Sequence, residues 1–242
     1  MLERGIQILQ AFRPNGGTLT LTVLVERTGL PKPTAYRLAE ALVDLGLLER
    51  QRTGYRPGLG LFELGELVPA KVDLREVALP FMQDLYEATH ETVHLGIRDG
   101  LDVVYAEKIH GHGGVDVPSR VGGRLPLSST GVGKALLAYA DADVVEAVLC
   151  RPLRRLTEHS TTDPARLVEQ LEEIRRTGLA YERDEAAIGV SCIAAPVLRD
   201  GRAVAALSLT LAADRVGKAG LAPAVRAVSL ALSRALAHSD VR

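Results

Sequence analysis

Tryptophan is absent from this chain of 242 residues, phenylalanine occurs three times, and cysteine only twice, at Cys150 and Cys192. Two cysteines so far apart in sequence build neither a disulfide framework nor a metal knuckle, which fits a reducing, cytoplasmic setting. Runs of about 18 apolar residues are missing, so no membrane-spanning helix is expected. The N-terminus lacks the apolar segment of a secretory signal. Internal repeats and low-complexity tracts are lacking as well. A strong net charge is also absent, with 29 Lys and Arg against 30 Asp and Glu. What remains is a chain with 47% hydrophobic residues, enough for packed cores and of a length that suits two domains.

The near-neutral total hides a division. Residues 1 to 60 hold eight Lys and Arg against five Asp and Glu, a charge of +3, and the remainder carries −4. A modestly basic head on an acidic body suits contact with DNA through the head alone. Residues 21 to 50 of that head read as helix, glycine turn and second helix. Thr20 suits an N-cap, Leu21, Leu24, Val25 and Thr28 share a face, and Gly29 ends the first helix. Lys32 to Leu45 restart a helix with Ala35, Leu38, Ala39 and Leu42 as its buried stripe. Pro33 is tolerated in the first turn, where its missing N–H would have had no partner.

That layout leaves Lys32, Pro33, Thr34, Tyr36 and Arg37 on or beside the outward N-terminal half of the second helix. In a helix-turn-helix reader this end enters the major groove. Arg37 suits a guanine edge or a phosphate, Lys32 and Tyr36 suit phosphates, and Thr34 suits a base edge or a backbone cap. A bare pair of helices is also a common packing unit. The following segment, residues 47 to 57, tips the balance: it reads as a strand, a Thr53-Gly54 turn and a returning strand, hence the hairpin of a winged helix. Arg50, Arg52 and Arg56 project from it toward phosphates.

Residues 61 to 90 are expected to be a helical linker, interrupted near Pro69 to Asp73 and again affected by Pro80. Leu74, Val77, Ala78, Phe81, Met82 and Leu85 recur at helical spacing, a stripe for its own domain or for a second subunit. From residue 91 to 242 the pattern is mixed. Val93, Leu95 and Ile97 alternate before an Asp99-Gly100 turn, and a second hairpin is centred on Asp200-Gly201. Helices are expected over 131–140, 142–149, 164–177 and 221–237. Hairpins interspersed with helices define an α+β body with an antiparallel sheet.

Within that body, residues 122 to 139 place small residues directly before a helix. Its first N–H groups suit a carboxylate or phosphate, although a tight turn before a packed helix has the same appearance. GVGK imitates the end of a phosphate-binding loop. Ser128, however, stands where the first glycine is required, and Ala135 where Ser or Thr must reach magnesium. A nucleotide- or metabolite-binding enzyme using SSTGVGK is therefore the competing class.

Three segments in order, TGLPKPTAYRLAEALVDLGLLER, GGRLPLSSTGVGKALLA and GLAYERDEAAIGVSCIAAPVLRDGRAVAALSLT, look like the signature regions of the IclR family of bacterial transcriptional regulators. The resemblance covers nearly the whole chain. It implies a winged helix, a linking helix and a C-terminal effector domain with a GAF/PAS-like sheet. It further implies homodimers, often paired into tetramers, that bind operator DNA and repress or activate metabolic or catabolic genes in response to a small organic or aromatic acid. Transferred residue by residue, the effector wall comprises Gly131, Val132, Glu182, Cys192, Ser208 and Thr210, with Ser129 and Thr130 on a hydroxyl-rich rim. Alternation independently puts Ser208 and Thr210 on one strand face. Glu182 replaces a shorter Asp familiar in the family.

Other chemistry has blander readings. His110 and His112 lack a nearby completing ligand set; Cys192 reads as a small wall residue; Asp184 and Glu185 read as a solvated loop; Lys134 reads as a helix-surface charge. No cofactor, bound metal or catalytic residue is expected.

Overall fold

The computed structural model describes residues 1–13, 16–112, 119–215 and 220–238, without the side chains of residues 69–73. The chain divides into two units, Met1–Pro69 and Ala70–Arg242. The first contains α1 (Leu2–Gln10), α2 (Leu21–Thr28), α3 (Lys32–Asp44), β1 (Leu48–Gln51), β2 (Gly54–Pro57) and α4 (Leu59–Glu66). Thr20 caps α2 by accepting the Val23 N–H at 3.3 Å, and Gly29 ends it at φ 68°, where a side chain would be strained. Ile8, Leu24, Ala35, Ala39, Leu42, Leu48 and Tyr55 close one core.

β1 and β2 pair antiparallel from Leu48↔Pro57 to Gln51↔Gly54. The turn therefore consists of Arg52 and Thr53, not Thr53 and Gly54 as the sequence suggests. Gly54 opens β2, and its φ is not positive. Glycine is required there for space: a Cβ would strike the Leu19 carbonyl, because Leu19 pairs with Tyr55 as a third, single-residue rung.

The second unit contains α5 (Pro69–Thr89), β3 (Thr92–Asp99), β4 (Asp102–Ile109), β5 (Arg124–Pro126), α6 (Gly131–Ala138), α7 (Ala142–Leu149), α8 (Pro164–Thr177), β6 (Ala180–Arg183), β7 (Val190–Arg199), β8 (Arg202–Ala212) and α9 (Leu221–His238). The strands form one antiparallel sheet ordered β5-β4-β3-β8-β7-β6. Segment 61–90 does not act as one linker. Its first part lies in α4 of the first unit, whereas Leu74, Ala78, Met82 and Leu85 of α5 are buried in the second unit's core. α5 continues through Pro80, which sits on its exposed side.

Strand alternation gives the sheet two different faces. Val93, Leu95, Ile193, Leu207 and Leu209 point into the core shared with α5 and α9. Val103, Tyr105, Cys192, Ala194 and Ala206 point the other way, into a core shared with α6 and α8. The approach of α6 is close because of two glycines. A Cβ on Gly131 would lie 2.8 Å from Cys192 Sγ, and one on Gly96 would overlap Val132. These contacts pin the start of α6 against the centre of the sheet.

Candidate functional sites in the two units

In the first unit Lys32, Pro33, Tyr36 and Arg37 are exposed at the N-terminal half of α3, and Thr34 is half-buried beside them. The wing arginines differ from one another. Arg56 Nε donates to Glu49 Oε2 at 2.7 Å across the hairpin, where the two residues are register partners. Arg50 Nη2 lies 2.9 Å from Glu40 Oε1 of α3, and the Tyr55 hydroxyl donates to the same oxygen at 2.7 Å. The Arg50 guanidinium also stands 5.9 Å from the Tyr36 ring centroid and 5.8 Å from that of Tyr55. Arg52, at the turn, makes no hydrogen bond or ion pair among the described residues.

In the second unit the α6-facing side of the sheet collects polar groups. Register aligns Glu182, Cys192 and Thr210 on one rung, and Ala194, Ser208 and His94 on the next. His94 is buried; its Nε2 is 2.6 Å from Ser119 Oγ and its Nδ1 3.2 Å from Thr210 Oγ1. Burial, with Lys108 and His110 adding repulsion, pushes its pKa down to about 3, so the ring is neutral. The Tyr105 ring lies 5.1 Å from it, and burial raises that phenol above its ordinary range. Cys192 is a thiol, pushed up to about 12 chiefly by burial and then by the Glu182 charge. The Ser208 hydroxyl is wholly buried and has no hydrogen-bond partner among the described residues beyond the weak company of the Cys192 sulfur.

The structure thus brings together Gly131, Val132, Cys192, Ser208 and Thr210. His94, Tyr105 and Ser119 join them without having been singled out from the sequence. The remaining expected residues are engaged otherwise. Ser129 donates to the Arg154 carbonyl at 2.9 Å. Thr130 caps α6 by accepting the Gly133 N–H at 3.0 Å. Glu182 Oε1 accepts the N–H groups of Glu185 (2.6 Å) and Ala186 (3.0 Å), so its carboxylate ties down the turn after β6. Burial raises its pKa to about 7 despite those two bonds. Its outer side borders a cleft of about 400 Å³ shared with His159, Arg166 and Tyr181.

Two readings from the sequence need correction. Lys134 is not a surface charge: it is fully buried and paired with Glu185, itself buried rather than in a solvated loop. Burial lowers the Lys134 pKa, and Glu185 opposes that shift. Glu185 Oε2 also accepts the Thr161 N–H at 3.0 Å. A lysine held this way is turned from any phosphate at the start of α6, which removes the support for a nucleotide site. His112 Nδ1 is 2.8 Å from the Tyr86 hydroxyl. No metal-holding cluster of three or more His, Cys, Asp or Glu occurs among the described residues, and none of their helices is long and apolar enough to cross a membrane.

A helix-turn-helix with a hairpin wing, followed by an antiparallel-sheet unit with a polar inner wall, defines a class of ligand-binding transcriptional regulators rather than enzymes. The IclR helix-turn-helix domain matches residues 1–52, and the bacterial transcriptional regulator IclR C-terminal domain matches residues 67–234. The chain belongs to the IclR family of DNA-binding regulators. It is 34% identical to the HTH-type transcriptional regulator XynR of Escherichia coli, over 98% of this chain and 97% of that one. It is 32% identical to the HTH-type transcriptional repressor AllR of the same species, over 89% and 81%. Among solved structures, an IclR homolog from Microbacterium hydrocarbonoxydans, complexed with 4-hydroxybenzoate, superposes with a TM-score of 0.89 at 30% identity, covering 98% of this chain and 99% of that one. The Thermotoga maritima IclR gives 0.78 at 28% identity and covers 98% of both chains.

Proposed function

We propose that this chain is a cytoplasmic regulator of metabolic or catabolic genes whose operator affinity is set by a small organic or aromatic acid bound in the second unit. The observation that carries this reading is the buried Ser208 hydroxyl, left without a good partner beside Thr210, neutral His94 and the start of α6. Such an orphan costs about 1–3 kcal/mol, which a ligand hydroxyl or carboxylate accepting its proton recovers. Gly131, Val132, Cys192 and Thr210 line the same wall, Ser129 and Thr130 brace its rim, and Glu182 closes one end. Operator contact falls to Lys32, Pro33, Thr34, Tyr36 and Arg37 of α3 together with the wing, where Arg50, Arg52 and Arg56 supply the positive charge. The chain works as a homodimer, with pairing into tetramers. Support for that comes from exposed apolar residues on α1 and α4: Leu2 (81% exposed), Phe62 (62%) and, just past the end of α4, Leu67 (74%).

The test is anisotropy titration of the full chain against its own upstream intergenic duplex and an unrelated duplex, with and without 4-hydroxybenzoate. Preference for the upstream duplex and a ligand-dependent change in affinity are expected. Arg37→Ala should weaken upstream binding about tenfold or more with the second unit still folded. Ser208→Ala should keep DNA affinity while blunting the ligand response. An unchanged dose response would remove Ser208 from the ligand wall.

A further inference from the structure

The three wing arginines are chemically alike and structurally unlike. Glu40 projects from α3 and receives two donors from the wing: the Tyr55 hydroxyl at 2.7 Å and Arg50 Nη2 at 2.9 Å. Arg50 Nη2 also reaches the Tyr55 oxygen at 3.5 Å. Register makes Arg50 and Tyr55 cross-strand partners, so one rung of the hairpin supplies both donors. The guanidinium faces two rings, Tyr55 from the wing and Tyr36 from α3. Tyr55 is the buried member, only 3% exposed, and its backbone forms the rung with Leu19.

We propose that Arg50 is a positioning residue that clasps the wing to the recognition helix through Glu40, Tyr55 and Tyr36, and that the clasp presents Arg52 to a DNA phosphate. The inference rests on the operator-binding reading above. Its physical basis is charge and geometry. Arg50 already has a carboxylate partner, so moving it to a phosphate exchanges one anion for another and releases the wing from α3. Arg52 gives up no ion pair on meeting a phosphate, because it is exposed at the turn with no partner among the described residues. Four cross-strand pairs hold the hairpin's own register, and the Glu40 clasp ties side chains of β1 and β2 to α3. Tyr36 belongs to that exposed half and to the clasp at once, so the spacing between groove-reading residues and wing tip is fixed by this cluster.

The salt dependence of DNA affinity tests the assignment, because each phosphate contact contributes about 0.9 to the slope of log K against log salt. The full chain is titrated with its upstream intergenic duplex as wild type, Arg50→Ala, Arg52→Ala, the double variant and Glu40→Ala. Arg52→Ala should lower the slope by about 0.9. Arg50→Ala should lower it by a similar amount because Arg52 is displaced, and the double variant should lose no more than either single one. A direct Arg50 contact instead predicts that the double variant loses about 1.8. Glu40→Ala gives opposite signs. Deleting an acid beside DNA ordinarily strengthens binding, and a released Arg50 would add to that, whereas loss of the clasp weakens it about fivefold to tenfold. Additive slopes, an Arg50→Ala protein with wild-type affinity, or tighter binding by Glu40→Ala would each overturn the proposal. Glu40 lies on a half-exposed helix face, so that variant stays informative even where Arg50→Ala perturbs the hairpin. A wild type that binds neither duplex would bring down the DNA reading itself, and this proposal with it.

Discussion

One ion pair of the second unit stands in a different medium from those of the first. In the first unit Arg56–Glu49 and Arg50–Glu40 lie in water, with the arginine side chains 51% and 55% exposed. In the second, Lys134–Glu185 is sealed, with side chains 1% and 8% exposed. Exposed pairs are screened and individually worth little, which suits a surface that lies beside a polyanion. A sealed pair is costly to separate and fixes its neighbours. Glu185 joins α6 to the Thr161 segment through its carboxylate, while its carbonyl accepts the Ser160 hydroxyl at 2.7 Å. The start of α6, where ligand is expected, is therefore braced by an element that does not yield easily.

The largest effect should come from opening the sealed pair. Lys134→Met leaves Glu185 without its cation and should cost about 3–5 kcal/mol, read by urea unfolding and by hydrogen exchange of the α6 amides. Lys134→Met combined with Glu185→Gln should recover much of that loss. A cost below about 1 kcal/mol would mean that the pair behaves like its exposed counterparts, erasing the contrast.

Glu182 sharpens the comparison as a buried carboxylate with no cation bonded to it among the described residues. Burial pushes its carboxyl up to about 7, above the ordinary value of 4.5. Such a group favours the folded state fully below 4.5, and that contribution is lost as pH rises through about 7. The difference amounts to about 3 kcal/mol. Glu182→Gln should therefore gain stability relative to wild type as pH rises through this window. His94 acts oppositely, since its depressed pKa makes acid unfavourable to the folded state, so the difference between wild type and variant is the quantity to measure. A pH-independent difference would place the Glu182 carboxylate in water.

The smallest effect belongs to the wing. Arg56→Ala removes an exposed cross-strand pair and should change stability by less than about 1 kcal/mol, measured by thermal melting. A larger loss would show that the hairpin depends on that pair.

Local signals carried much of this architecture. Thr20 and Gly29 bracket α2, Gly178 terminates α8 at φ 74°, and Asp200 and Gly201, both at positive φ, turn β7 into β8. The α1 helix and the short strands β5 and β6 were not legible, the strands because three or four residues hold too little alternation to register. The β3 alternation marks only the apolar face, on which His94 does not lie, and its partner Thr210 is 116 positions away. Lys134 did leave a signal. GVGKALLA has no polar residue besides the lysine, and a helix apolar all round is a buried one; all eight of its residues are buried. Gly54 suggests turn geometry in the sequence, but the space beside Leu19 is what requires glycine there.

The position of β6 has one more consequence. It is a four-residue strand at the sheet's edge, with Ala180 and Glu182 buried and Tyr181 and Arg183 exposed. Open strand edges are templates on which other chains assemble, and short edges with inward charges resist this. A strand added alongside β6 would have to enclose the Glu182 carboxylate still further, so pairing at this edge is disfavoured.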